Sequence, residues 1–166
     1  LAMGFAVLFF ILMYVYDEQH VDSFHSKSDR IYRVLEERTG SEGEIQHFSV
    51  TANPLAEALK EEFPEIEETA KMIYLGSGGL RYEQNQFTDR NYAFATSSIF
   101  NVLDFNILKG NPHQEFNGIV SVALNQTTAK KLFGDEDPIG KLVDLPGKMN
   151  SVEVIALYED LPKNAT

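Results

Sequence analysis

The sequence predicts an α+β domain in which two strand–helix–strand units flank a strand-rich insertion, with the end of a membrane helix in front of it. Three observations carry this expectation. The first sixteen of 166 residues, LAMGFAVLFFILMYVY, hold no charge, whereas every Asp, Glu, Lys and Arg lies in 17–166. Two stretches, 53–63 and 125–134, combine helical apolar spacing with start and stop signals. Around them lie short β-branched or aromatic runs separated by Gly, Pro and Asn.

A bilayer-spanning helix needs roughly 20 apolar residues. Residues 1–16 are expected to be the C-terminal part of such a helix, the run being cut on its left. A cleavable signal peptide would show a basic start and a small-residue cleavage site, and neither is visible. Tyr14 and Tyr16 suit the membrane–water interface. The competing expectation is a buried core helix or strand pair. Residues 17–30, DEQHVDSFHSKSDR, have Val21 and Phe24 as their only large apolar side chains and read as the exit into the globular part.

Residues 30–39 read as a strand, Gly40–Gly43 as a turn and Ile45–Val50 as the returning strand of a hairpin. For the helix over 53–63, Asn53 is the expected N-cap, Pro54 takes the first position and Pro64 stops it. Its inner face is Leu55, Ala58, Leu59 and Phe63. A strand over 69–75 is expected to end in a flexible turn at Gly76-Ser77-Gly78-Gly79, and residues 80–96 to form two strands around Glu83–Gln86. Ser97 or Ser98 caps a short helical turn through Leu103, and Phe105–Leu108 leads to a break at Gly110-Asn111-Pro112. Residues 118–124 form an apolar strand. Asn125 then caps a helix with Ala129, Leu132 and Phe133 inward, and Gly134 ends it. Strands over 141–145 and 152–158 surround the Pro146-Gly147 turn.

The composition excludes several functions. Fourteen basic and 25 acidic residues leave a net charge of −11, against nucleic acid and anionic lipid as partners. Without cysteine there is no disulfide framework, thiolate metal site or cysteine nucleophile. Gly134–Lys141, GDEDPIGK, fails as a phosphate-binding loop. Its glycines are six apart, Leu142 stands where a hydroxyl is needed, and three acids would repel phosphate. Asp135–Asp137 has too few spaced oxygens for a calcium loop. Asp17, Glu18, His20, Asp22 and His25 are dense in ligand types, but the histidines are five apart, off one helical face, which favours a solvated surface over a metal site. His47 and His113 stand alone, and no G-x-S-x-G elbow occurs. Glu61, Glu62, Glu65, Glu67 and Glu68 read as a solvated helix end. Asn125-Gln126-Thr127 and Asn164-Ala165-Thr166 match glycosylation acceptors. The expectation is a tethered binding or coupling module with no catalytic, metal or cofactor residues.

Several segments together resemble one family. Asp22-Ser23-Phe24-His25 followed by Asp29-Arg30-Ile31-Tyr32-Arg33-Val34 is similar to the junction after the first membrane helix in MacB/FtsX-type ABC transporter permeases. Glu62-Phe63-Pro64-Glu65-Ile66-Glu67, Phe100, Asp104-Phe105 and Gly110-Asn111-Pro112 follow in the family's order. Thr128-Ala129-Lys130-Lys131-Leu132-Phe133-Gly134 with Asp137-Pro138-Ile139-Gly140-Lys141 is the most specific stretch, and Glu159-Asp160-Leu161-Pro162-Lys163-Asn164 resembles the run toward the next span. The resemblance implies a periplasmic core domain in residues 17–166, held at the inner membrane by residues 1–16. It implies two lobes, a porter-like βαβ lobe over 30–75 plus 119–166 and a smaller inserted lobe over 76–118. It further implies a cytoplasmic ABC ATPase, separate or fused, a second permease copy, and a periplasmic adaptor or exported substrate as partners. The matched residues look architectural: Arg33 to pair with a carboxylate, Gly134 and Gly140 for turns, Pro162 to end the domain. An extracytoplasmic ligand sensor is the alternative, and a tethered hydrolase, which would need a deep polar pocket, ranks behind both.

Overall fold

The structure is a computed structural model that describes residues 2–19, 24–114, 118–147 and 149–162. The uncharged opening forms helix α1 (Ala2–Gln19). Its large apolar side chains are exposed on every side, from 41 % at Val15 to 82 % at Met3, and none belongs to the core. The expectation of a buried core helix is thereby excluded. At 1.5 Å per residue the apolar stretch over 2–16 is about 22 Å long. Among the described residues no helix is long and apolar enough to cross a membrane.

Past a 3-10 turn at Ser28–Arg30, residues 31–35 stay outside any ladder, so the first strand is shorter than expected. Strand β1 (Glu36–Thr39) pairs antiparallel with β2 (Ile45–Phe48) as a two-stranded sheet of its own. The turn closes through Gly40 N–H to Glu44 O (2.8 Å) and Gly43 N–H to Gly40 O (3.0 Å). Helix α2 (Leu55–Glu62) starts two residues after Asn53, which does not cap it. The Asn53 Oδ1 instead accepts from Lys71 Nζ at 3.4 Å. Phe63 N–H reaches Leu59 O (3.0 Å) as the last helical bond before Pro64.

The largest departure from expectation is at Gly76–Gly79. The run is not a turn but the middle of β3 (Met72–Tyr82), which pairs antiparallel with β4 (Asn85–Ala95), the chain reversing at Glu83 and Gln84. The register shifts twice between Tyr74 and Gly78. A Cβ on Gly78 would lie 3.1 Å from the Tyr92 ring, so glycine lets the two backbones close over a buried aromatic. Helix α3 (Ile99–Val102) follows, then β5 (Ile107–Gly110), β6 (Ser121–Asn125), α4 (Gln126–Phe133), β7 (Leu142–Leu145) and β8 (Met149–Tyr158).

Strands β3 to β8 form one six-stranded sheet in the order β4-β3-β7-β8-β5, with β6 also on β8. The β6–β8 pairing is parallel, with α4 in the connection, so the second strand–helix–strand unit forms, with β7 between its helix and its closing strand. The first does not, because β2 pairs with β1 rather than with β3. The sheet takes strands from both sides of 75/76 and 118/119, the boundaries expected for the inserted lobe.

The core lies where α4 covers this sheet. Asn125 Oδ1 accepts from Thr128 N–H at 2.8 Å, the cap read from the sequence, and Gly134 ends the helix at φ 63°. Ala129, Leu132 and Phe133 pack with Leu80, Leu124, Val143, Leu145, Val152 and Val154.

Candidate functional site

Two regions gather polar side chains with defined geometry: the acidic turn after α4, and the place where residues 24–27 dock beyond α3.

In the acidic turn the charges neutralise one another. Asp137 Oδ2 accepts from Lys109 Nζ (2.6 Å), and Lys130 reaches Asp135. Lys141 bonds Glu136 and the Tyr82 hydroxyl (3.1 Å), its ammonium lying 4.9 Å from the Tyr82 ring centroid. The Lys109 ammonium, and then the Ile139 N–H, hold the Asp137 carboxyl below its ordinary range. The bond from Lys130 does the same for Asp135. Lys141 is raised, first by Glu136 and then by Tyr82. Lys141 is thus held between Glu136 and the half-buried Tyr82.

Residues 24–27 make the second region. His25 is 7 % exposed, the one buried histidine among the described residues. Its Nδ1 accepts the Asp104 N–H at 3.0 Å, and its ring lies 4.0 Å from that of Phe24. Asp104 Oδ2 accepts the Ser26 N–H, and Lys27 Nζ donates to Asn101 O at 3.1 Å. The bonds from Ser26, ahead of the nearby Lys27 ammonium, lower the Asp104 carboxyl from its ordinary value.

The other residues singled out above are dispersed. Asp17 and Glu18 end α1, whereas His20 and Asp22 lie outside the described residues, as do Lys163 and the Asn164-Ala165-Thr166 acceptor. Among the described residues no group of three His, Asp or Glu is placed to hold a metal ion. His47 sits 3.7 Å from Glu37 across the hairpin, and His113 meets the Phe100 ring edge-on. Glu68 pairs with Lys60 (2.5 Å), and that bond lowers its carboxyl. Arg33 is exposed, and the ion pair of this stretch is made by Arg30 with Glu67 (3.1 Å). Thr127, the hydroxyl residue of the other acceptor, is bound by Asp160 through both its N–H (3.1 Å) and its Oγ1 (2.5 Å). A hollow of about 350 Å³ on the hairpin is lined by Glu36, Arg38, Phe48, Val50, Thr51 and Ala52, with Arg38 already tied to Glu36 (2.6 Å).

His25, a solvated ligand type by its sequence neighbours, meets Asp104 across 79 residues, a contact that no local signal carries.

The profile of the MacB-like periplasmic core domain family matches residues 1–166. No curated protein matches. Among solved structures, the chain is similar to a domain of a protein described as a permease from Porphyromonas gingivalis, at TM-score 0.63 and 20 % identity, covering 78 % of this chain and 55 % of that one. It is similar to the extracellular domain of the ABC-type transporter YknZ from Gram-positive bacteria, at TM-score 0.54 and 21 % identity, over 66 % and 58 % of the two chains. The third is the periplasmic region of MacB from Actinobacillus actinomycetemcomitans, at TM-score 0.51 and 22 % identity, over 63 % and 49 %. The chain thus spans about half the length of the solved domains it matches.

Proposed function

This chain belongs to the family of MacB-like periplasmic core domains, and from that premise we propose that it is the non-catalytic extracytoplasmic part of an ABC transporter permease. In this reading residues 1–16 are the C-terminal part of a membrane helix, and residues 17–166 lie in the periplasm against the inner membrane. A cytoplasmic ATPase, separate or fused, supplies the energy, and two permease copies work as a pair. The domain transmits the ATPase cycle to export or envelope work, acting on a periplasmic adaptor or an exported substrate.

The observation that carries the reading is an apolar helix exposed on all sides and followed by an acidic, tightly ion-paired domain. Apolar area left in water costs about 25 cal/mol per Å², and a bilayer removes that cost. A domain that transmits movement needs a stiff core and two arrangements whose populations a ligand shifts, rather than a polar pocket.

The test uses the full permease with its ATPase. The sequence has no cysteine, so single cysteines at exposed core positions such as Ser97 and Ser121 are unambiguous reporters. Cross-linking between paired copies is expected to change at least threefold when ATP is bound at one or more positions. Equal cross-linking with and without ATP at every position contradicts the reading.

A further inference from the structure

We propose that His25 and Asp104 are positioning residues of a clamp that fastens the segment leaving α1 to the body of the domain. The proposal rests on the coupling function above and names the residues through which movement of the helix enters the core.

The polar contacts of the clamp reach across 74 to 79 residues of sequence. Asp104 contributes both its backbone N–H, donated to His25 Nδ1, and its carboxylate, which accepts the Ser26 N–H; Lys27 adds a bond to Asn101 O. Ser28 N–H to His25 O (3.1 Å) and Arg30 N–H to Lys27 O (2.8 Å) fold the clamped segment into a compact turn. With Nδ1 accepting, a neutral His25 carries its proton on Nε2.

The receiving segment is itself anchored to the sheet. The Phe105 ring packs at a tilt against Phe100 (5.0 Å between centroids) and meets Tyr158, at the end of β8, edge-on at 5.3 Å. Asn106 O accepts the Glu159 N–H (2.9 Å), and Asn106 Nδ2 donates to Glu159 Oε2 (2.7 Å). Residues 100–106 therefore bridge the segment that follows α1 and the end of the central strand β8.

The position in the chain gives the clamp its effect. Five peptide steps separate Gln19, the last residue of α1, from Phe24, at most about 17 Å of extended chain. With the clamp closed, a displacement of α1 beyond that reach must move the core. With it open, the next described attachments to the six-stranded sheet are Lys71 N–H on Thr96 Oγ1 (3.1 Å) and the start of β3 at Met72, because β1 and β2 pair only with each other. The exposed Arg30–Glu67 ion pair (3.1 Å) shortcuts the intervening chain, so the tether lengthens roughly threefold and slackens.

The test is pulsed electron paramagnetic resonance on this chain in detergent micelles. Nitroxides are placed at Ser28→Cys, on the clamped turn, and Ser121→Cys, on β6, both exposed. The parent is expected to give a narrow distance distribution. His25→Ala and Asp104→Ala should broaden it at least twofold. His25→Asn, whose Oδ1 can replace Nδ1 as acceptor, and Asp104→Asn, which keeps an acceptor for Ser26, should remain narrow. Far-UV circular dichroism checks that the β8 core persists; if His25→Ala unfolds, the two Asp104 variants decide. A broad distribution in the parent, or equal widths in Asp104→Ala and the parent, overturns the clamp. This width reads the clamp whether or not an ATPase acts on it, whereas the ATP-dependent cross-link reads coupling whether or not the clamp is stiff.

Discussion

Replacing Leu132 with alanine is expected to destabilise the domain by about 2–5 kcal/mol, the range for removing a fully buried leucine when its neighbours cannot collapse into the space. Leu132 is 0 % exposed on the inner face of α4, among Leu80, Leu124, Val143 and Val154. Those neighbours belong to four strands of one sheet, so none can move inward without disturbing a ladder. A small domain has a total stability of about 5–15 kcal/mol, so the loss is a large fraction of the whole. Leu132→Met, which nearly conserves volume, should cost less than about 1.5 kcal/mol. The check is urea unfolding in mild detergent, followed by circular dichroism and by tyrosine emission, since the chain has seven tyrosines and no tryptophan. A Leu132→Ala loss below about 1 kcal/mol would mean that α4 does not close this core.

Gly110→Ala should act with comparable force for a different reason. Gly110 has φ 82°, and a Cβ there would lie 2.1 Å from Ile155 O and 3.0 Å from Ala156 Cα. The same Ile155 O accepts the Asn111 N–H at 2.9 Å, so relieving the overlap breaks the bond that seats β5 beside β8. Left-handed backbone alone costs a non-glycine residue roughly 1–2 kcal/mol. Gly134→Ala measures that share separately, because Gly134 is also at positive φ but has nothing within 4 Å of its added Cβ. Gly110→Ala is expected to lose more than about 2 kcal/mol, and more than Gly134→Ala. Equal losses in the two variants would show that the close approach to Ile155 is absent.

These two sites also show where the sequence speaks clearly. Helix α4 was legible because each of its signals is local: Asn125 caps, three apolar residues recur at helical spacing, and Gly134 stops the chain. The Pro146-Gly147 turn between β7 and β8 and the break after Gly110 were legible for the same reason. Asn53 carried an equally good capping signal, but Lys71, 18 residues away, takes its oxygen. Gly76–Gly79 misled because a glycine cluster is the ordinary mark of a turn. Here the missing side chain at Gly78 makes room for Tyr92, which only the β3–β4 register brings opposite. The helix–strand alternation gave the α+β class. It did not reveal that the first hairpin stands apart from the six-stranded sheet, since pairing partners are not encoded in any one segment. The candidate site was least legible. His25 and Asp104 look like unremarkable surface polar residues until the fold places one against the other.

The central claim is that the apolar helix lies in a bilayer while the domain after it faces the outside of the inner membrane. Single cysteines at Phe9 and Ser121 in the full permease, treated in right-side-out spheroplasts with a membrane-impermeant maleimide, test it most directly. The account predicts that the cysteine at 121 labels at once and that the cysteine at 9 labels only after detergent dissolves the membrane. Labelling at 121 only after the membrane is broken, or equal labelling of both in intact spheroplasts, would contradict it.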